Sequence, residues 1–137
     1  MVKIVTNRNC VYQIAYHVIW CPKYRQHILV NDVAKWVDKE LRKICQDRKW
    51  QIISCEIQPD RVHLFVSISP SVSIANAVKI FKGTTARKAF LEFPNLKQKL
   101  YNGHLWSPSY YVGTAGNISA DTIQKYIERS AHVNKRR

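Results

Sequence analysis

The stretch Gln58-Pro59-Asp60-Arg61-Val62-His63-Leu64-Phe65-Val66-Ser67 decides the fold of this chain. After Pro59-Asp60, apolar side chains alternate strictly with other residues, which is the period of a strand with one face in a core. The predicted core face holds Val62, Leu64, Val66 and Ile68, and the opposite face holds Arg61, His63, Phe65 and Ser67.

The residues before the turn repeat this alternation and predict a hairpin. With Pro59-Asp60 as a two-residue loop, Glu56 faces His63 and Gln58 faces Arg61 across the two strands. The predicted core face of the earlier strand holds Gln51, Ile53, Cys55 and Ile57, and the other face holds Trp50, Ile52, Ser54, Glu56 and Gln58. A histidine opposite a glutamate on a central strand indicates a metal or acid-base site. The alternative is a solvated sheet face with a chance histidine.

Composition and charge limit the classes of function. The chain has 137 residues, which predicts a single domain over residues 1–137. Its net charge of +13 indicates a polyanion partner, most often nucleic acid, although a basic protein without such a partner is the alternative. No run approaches the roughly 20 apolar residues of a membrane span, so we expect a cytoplasmic protein with no membrane partner. The four cysteines lack close-pair spacing and are predicted to be reduced structural thiols.

The first predicted strand runs from Cys10 to Trp20, with both faces largely apolar or aromatic. His17 within it is interpreted as a packed, hydrogen-bonded histidine, with a ligand role as the alternative. The loop Cys21–Arg25 combines cations with an aromatic ring, which suits phosphate gripping and base stacking, or is a surface turn. Asn31 or Asp32 is the predicted cap of a helix that ends near Arg48.

The second half of the chain completes an α+β pattern. Ser73 caps a predicted second helix, which the segment Gly83–Thr85 interrupts. Gly83 there predicts a close approach of another backbone, a kink or a break. The segment Trp106–Gly116 predicts a fourth strand, and Ser119 caps a last helix that carries Tyr126. The order of the first six elements is the ferredoxin-like βαββαβ pattern, an antiparallel sheet with one open face.

Over nearly its whole length the chain resembles the small single-tyrosine transposases of the HUH superfamily, of the kind encoded by the smallest insertion sequences. The matching motifs are Trp20–Arg25, Gln58–Leu64, Phe81–Arg87, Leu105–Thr114 and Tyr126–Glu128. The resemblance implies the ferredoxin-like fold, a homodimer, and a divalent metal cofactor, Mg²⁺ or Mn²⁺. It also implies a nick in single-stranded DNA next to an imperfect hairpin.

The resemblance assigns Tyr126 as the nucleophile, which would form a 5′-phosphotyrosine bond and leave a free 3′-OH. The alternative is a tyrosine that only packs in its helix. Together with the net charge, the motifs predict that single-stranded or hairpin DNA is bound by a basic and aromatic set. This set is Lys23, Tyr24, Arg25, Arg61, Lys79, Lys82, Arg87 and Lys88.

Two positions depart from the family's pattern. Arg61 stands where the family has the first histidine of its His-hydrophobic-His motif, and arginine has no lone pair for a metal. Ser130 stands where relatives often have a metal-binding glutamine. His63 therefore remains as a metal ligand, and Glu56 is the predicted replacement. Other candidate substitutes are Gln58, Asp60 and His132, and Arg61 has the alternative role of holding the scissile phosphate.

Three functions follow from these observations. The first is an active DNA transposase that cleaves and rejoins single strands. The second is a catalytically impaired or repurposed relative that only binds hairpin DNA, which Arg61 and Ser130 keep open. The third is an RNA-binding module of the same fold, which the Tyr126 helix and the Trp106–Thr114 segment disfavour.

Overall fold

The computed structural model describes residues 5–6, 11–12, 14–100 and 103–114. Within these ranges the strands are β1 (Val5–Thr6), β2 (Val11–Tyr12), β3 (Tyr16–Trp20), β4 (Gln51–Gln58), β5 (Arg61–Ser67) and β6 (Tyr111–Thr114). The helices are α1 (Asn31–Arg48), α2 (Ile74–Glu92) and the single turn α3 (Leu96–Lys99), with a 3₁₀ turn at Lys23–Arg25. No helix in the described part is long and apolar enough to cross a membrane.

The main sheet has four strands in the order β4-β5-β3-β6, and every neighbouring pair is antiparallel. A strand–helix–strand–strand–helix–strand chain with this order is the predicted ferredoxin-like arrangement, and that prediction is confirmed. The two long helices cover one face, where residues of both helices join the sheet in a common core. The predicted last helix, with Tyr126, lies outside the described residues.

The alternation along β5 is confirmed, because Val62, Leu64 and Val66 are fully buried in the core. The predicted two-residue loop at Pro59-Asp60 and both predicted cross-strand pairs are also present, Glu56 with His63 and Gln58 with Arg61.

The predicted faces of the first half of β4 are wrong. A register shift lies between Ile52 and Ser54. Because a bulge inserts one extra residue, it moves every earlier side chain to the other face. Trp50 and Ile52 therefore join Cys55 and Ile57 against the core.

The helix starts and the first strand also differ in part from expectation. Val30, not Asn31 or Asp32, precedes α1, and no side chain caps that helix, although it ends at Arg48 as predicted. Ser73 does cap α2, since its hydroxyl accepts a 3.1 Å bond from the Asn76 N–H.

The expected break of α2 at Gly83–Thr85 does not occur, because the helix runs unbroken through it. The expected first strand is split, since β2 pairs with β1 in a separate two-stranded sheet. The fourth strand begins at Tyr111 rather than at Trp106, which forms only an isolated bridge with Pro22, and its expected end at Gly116 lies outside the described residues.

Candidate active site on the open face of the sheet

The face of the sheet opposite the helices carries the side chains that sequence analysis singled out. Since Val62 and Leu64 point into the core, Arg61, His63 and Phe65 point to the other side. On the neighbouring strand β3, His17 pairs directly with Phe65, and Ile19 pairs with His63. His17 and His63 are therefore diagonal neighbours on one face, within reach of their rings.

The imidazoles of these two histidines meet. His17 Nδ1 lies 3.1 Å from His63 Nε2, a hydrogen-bond distance in which one nitrogen donates and the other accepts. The His17 ring also stacks on Phe65, with ring centroids 4.0 Å apart and planes 4° apart. The structure confirms that His17 is packed and hydrogen-bonded, but its partner His63 was not foreseen, and the alternative ligand role of His17 stays a hypothesis.

The surroundings of both imidazoles favour the uncharged form by lowering their pKa values. Partial burial lowers the pKa of His17, and the nearby His63 lowers it further. Burial also lowers the pKa of His63, where Glu56 acts in the opposite direction and Arg61 in the same direction. A neutral imidazole keeps one lone pair, so the pair is suited at neutral pH to hydrogen bonding or to metal binding.

Glu56 lies opposite His63 in the register, as expected, and its side chain is exposed. No ion pair joins Glu56 to His63 in the described part of the chain. Among the same residues, no group of three or more His, Cys, Asp or Glu side chains is arranged to hold a metal. The donor chemistry does fit a divalent ion in part, since two imidazoles and one carboxylate share this face. The ligand role of Glu56 remains a prediction.

Arg61 is engaged by its neighbour in the turn. Its Nη1 donates a 3.0 Å bond to Asp60 Oδ1, while Arg25 Nε lies 3.1 Å from Asp60 Oδ2. Asp60 is 8% exposed, so the carboxylate is held almost out of water between two guanidinium groups. This bridge joins the hairpin turn to the 3₁₀ turn, and the 3.1 Å bond from the Leu29 N–H to the Pro59 carbonyl reinforces it.

The predicted DNA-binding residues fall into distinct environments. Lys79 and Arg87 are exposed on α2 at positions that share one helix face with Gly83. Tyr24 is partly exposed beside Lys23, which is itself buried, with 6% of the residue exposed. Lys88 is bound to Glu40 of α1 at 2.9 Å, a contact between the helices. DNA contact by this set remains a prediction.

Lys82 has a structural contact that its sequence context did not indicate. Its Nζ donates to the Ser107 carbonyl at 2.7 Å and to the Ser109 carbonyl at 3.2 Å. Burial lowers the pKa of this amine to about 8. Its charge is therefore directed at the segment that leads into β6, which it helps to place beside β3.

A buried hydrogen bond fixes the same segment. Trp106 Nε1 donates to Thr85 Oγ1 at 2.9 Å, and the Thr85 hydroxyl donates to the Phe81 carbonyl at 2.7 Å. Both partners are buried. The motif Phe81–Arg87 thus positions the approach to β6, and the candidate nucleophile Tyr126 and the alternatives Ser130 and His132 lie outside the described residues.

Comparisons with known proteins find related sequences over most of the chain. The sequence pattern of the family described as "Transposase IS200 like" matches residues 10–130. The chain is 45% identical over 121 residues to the ISDra2 transposase TnpA of Deinococcus radiodurans, covering 88% of this chain and 86% of that protein. It is 31% identical over 130 residues to the transposase for insertion sequence element IS200 of Salmonella typhimurium, covering 95% and 82%.

Solved structures give the same fold. The crystal structure of a putative transposase from Deinococcus radiodurans superposes with a TM-score of 0.85 at 39% identity, over 93% of this chain and 98% of that chain. A REP-associated tyrosine transposase bound to a REP hairpin superposes with a TM-score of 0.56 at 12% identity, over 90% and 69%. At that identity the second likeness concerns the fold alone.

Proposed function

The chain belongs to the IS200-like transposase family, and from this premise we propose that it binds hairpin single-stranded DNA and cleaves and rejoins it through Tyr126. The observation that carries the proposal is the placement of His63 on the open face of the sheet, with exposed cations elsewhere on the same basic chain. A sheet face with a neutral imidazole and a nearby carboxylate suits phosphodiester chemistry better than it suits simple docking.

The proposed reaction is a transesterification. The Tyr126 O–H releases its proton to the solvent as its oxygen attacks the phosphorus. A tyrosine–phosphate bond forms, and the bond to the 3′ oxygen breaks with its electron pair leaving on that oxygen. Protonation of that oxygen gives a free 3′-OH, and the reverse step rejoins the strand without ATP because the bond energy is kept in the phosphotyrosine.

A divalent ion, Mg²⁺ or Mn²⁺, supplies the charge that polarises the phosphate when it is bound. His63 is the proposed holder, with Glu56 opposite it as the oxygen donor. Arg61 is proposed to contact the phosphate with the donors that Asp60 does not use, because a guanidinium has five N–H groups in a fixed fork.

A covalent-adduct assay tests this proposal. The full-length protein is incubated with Mg²⁺ or Mn²⁺ and with single-stranded oligonucleotides that copy the DNA on either side of its own coding sequence. A denaturant-resistant protein–DNA adduct is expected from the wild type and from Tyr110→Phe, which removes an exposed tyrosine hydroxyl elsewhere. Tyr126→Phe is expected to bind the DNA and give no adduct; an adduct from that variant would assign the nucleophile elsewhere.

One observation favours the second candidate, a relative that binds hairpin DNA without cutting it. Arg61 replaces the family's first motif histidine, and its guanidinium is turned toward Asp60. The same assay separates the two functions, because this candidate retains DNA affinity and gives no adduct with either ion.

A further inference from the structure

The pairing of His17 with His63 has a consequence for metal binding that the family's motif does not contain. The motif places its two histidines on one strand, two residues apart, and Arg61 removes the first of them here. A second imidazole nitrogen nevertheless lies 3.1 Å from His63 Nε2, and it comes from the adjacent strand β3.

We propose that His17 is a metal ligand that takes the role of the missing motif histidine, so that His17 and His63 together bind a nitrogen-preferring divalent ion of the first transition row. The inference rests on the proposed function only in placing a metal on this face. It goes beyond that function because it assigns His17 of β3 as a ligand and predicts which kind of ion the two histidines prefer.

The distance between the two nitrogens suits a shared ion. Imidazole nitrogens bind first-row ions such as Zn²⁺ at about 2.0–2.1 Å, and at that length a separation of 3.1 Å corresponds to an angle of roughly 95–100° at the metal. This lies between the octahedral and tetrahedral angles. For both lone pairs to aim at one ion, the two rings must turn away from their present hydrogen-bonded alignment.

The surroundings of His17 hold its ring in place for this role. The ring lies flat on Phe65 at 4.0 Å, and the backbone register sets His17 opposite Phe65 and diagonal to His63. A ligand whose position is set before the ion arrives loses less freedom on binding than one that is free to move. When the ion displaces the shared hydrogen bond, the donor ring moves its proton to its other nitrogen, so neither imidazole has to become charged.

The ligand chemistry predicts which ion binds. Mg²⁺ prefers oxygen ligands in an octahedron and dehydrates reluctantly, whereas imidazole suits Co²⁺, Cu²⁺ and Zn²⁺ better. A site built on two imidazoles is therefore expected to prefer Co²⁺ over Mg²⁺ by at least about tenfold.

Metal binding without DNA tests the assignment. Calorimetry with Co²⁺ and with Mg²⁺ is run on the full-length wild type, on His17→Phe, which keeps a ring against Phe65, and on His17→Asn, which keeps a hydrogen-bonding side chain. His27→Asn and His104→Asn are matched controls, because both histidines are exposed and lie outside the strands of the sheet. We expect both His17 variants to lose at least about tenfold in Co²⁺ affinity and both controls to keep it.

A spectroscopic count of nitrogens separates a ligand from a residue that only orients His63. Cu²⁺ bound to the wild type is expected to show hyperfine coupling to two imidazole nitrogens by electron paramagnetic resonance, and bound to His17→Asn to one. Adding Arg61→His to His17→Asn should restore the second nitrogen, because it rebuilds the motif on one strand. A two-nitrogen signal in His17→Asn, or unchanged Co²⁺ affinity in that variant, would overturn the proposal.

The metal-binding and spectroscopic tests of His17 do not depend on DNA cleavage. If the adduct assay fails while the two-nitrogen signal is present, the proposed function fails and the ligand assignment stands. If His17→Phe does not fold, as judged by its thermal unfolding, His17→Asn alone decides between the outcomes.

Discussion

The hydrogen bond between Trp106 and Thr85 gives a stability prediction that can be worked through in numbers. Thr85 Oγ1 accepts from Trp106 Nε1 at 2.9 Å and donates to the Phe81 carbonyl at 2.7 Å. Thr85→Val keeps the shape of the side chain and removes both bonds. The Phe81 carbonyl keeps its place in the helical hydrogen-bond ladder, but the buried indole N–H of Trp106 loses its acceptor.

A buried donor left without a partner costs about 1–3 kcal/mol. We therefore expect the free energy of unfolding to fall by about 2 kcal/mol, which lowers Tm by roughly 5–10 °C in a domain of this size. Thermal unfolding followed by circular dichroism measures the change. Exchange of the Trp106 indole proton, followed by NMR, should become faster in the same variant.

Thr84→Val is the matched control for this measurement. Thr84 is the preceding residue of the same helix, is half-buried, and has no side-chain hydrogen bond among the contacts of the described residues. Its replacement should change the free energy of unfolding by less than about 0.5 kcal/mol. Equal losses of unfolding free energy in the two variants would refute the reasoning. The cost would then come from replacing any threonine of this helix by valine, and not from the lost acceptor of Trp106.

Three other outcomes concern metal, DNA and assembly. Arg61→His should raise the Mn²⁺ affinity of the free protein by roughly tenfold or more, because it removes a positive charge two residues from His63 and adds a nitrogen donor. Equal affinities by calorimetry would mean that other ligands already complete the site. Affinity for hairpin DNA should fall steeply with salt, since the predicted phosphate contacts release counterions, and a flat binding response between low and physiological ionic strength would contradict those contacts. The chain should sediment as a homodimer at micromolar concentration, whereas a monomer would remove the basis for two coordinated nicks.

The central hairpin could be predicted from sequence because two independent signals agreed. The period of β5 gave its buried face, and the two-residue turn then fixed the pairing of Glu56 with His63. The bulge in β4 could not be predicted in the same way. Ile52 and Ile53 are adjacent and equally apolar, so either phase of the alternation fits until packing against the core selects Ile52.

The continuous helix α2 shows a local signal that packing overrules. A glycine inside a helix costs about 1 kcal/mol, which favoured a break at Gly83. Phe81, Thr85 and Ala89 are all fully buried at helical spacing around it, and their burial outweighs that cost. Outside the glycine's neighbours and its own helix backbone, no atom of the described residues lies within 4 Å of a Cβ placed on Gly83, so these residues show no close approach that would explain this glycine.

Two contacts of the site that sequence reasoning missed, Arg25 with Asp60 and His17 with His63, join distant parts of the chain. Asp60 forms ion pairs with Arg25 of the 3₁₀ turn and with Arg61 of its own hairpin, and only the fold brings the two arginines together. His17 meets His63 because β3 lies beside β5 in the sheet, which a pattern within either strand does not reveal. A basic residue in place of a motif histidine is the one local signal that another partner for His63 should be sought.

The cross-strand origin of the histidine pair changes what the site depends on. Two histidines on one strand keep their spacing whatever the strand's neighbours do, because the backbone between them sets it. His17 and His63 keep theirs only while β3 and β5 hold their register, and a slip of one residue would turn His17 to the other face. That register is secured on the opposite face by the buried pairs of Val18 with Leu64 and Trp20 with Val62. The loss of the first motif histidine therefore makes the chemistry of the open face depend on packing in the core beneath it.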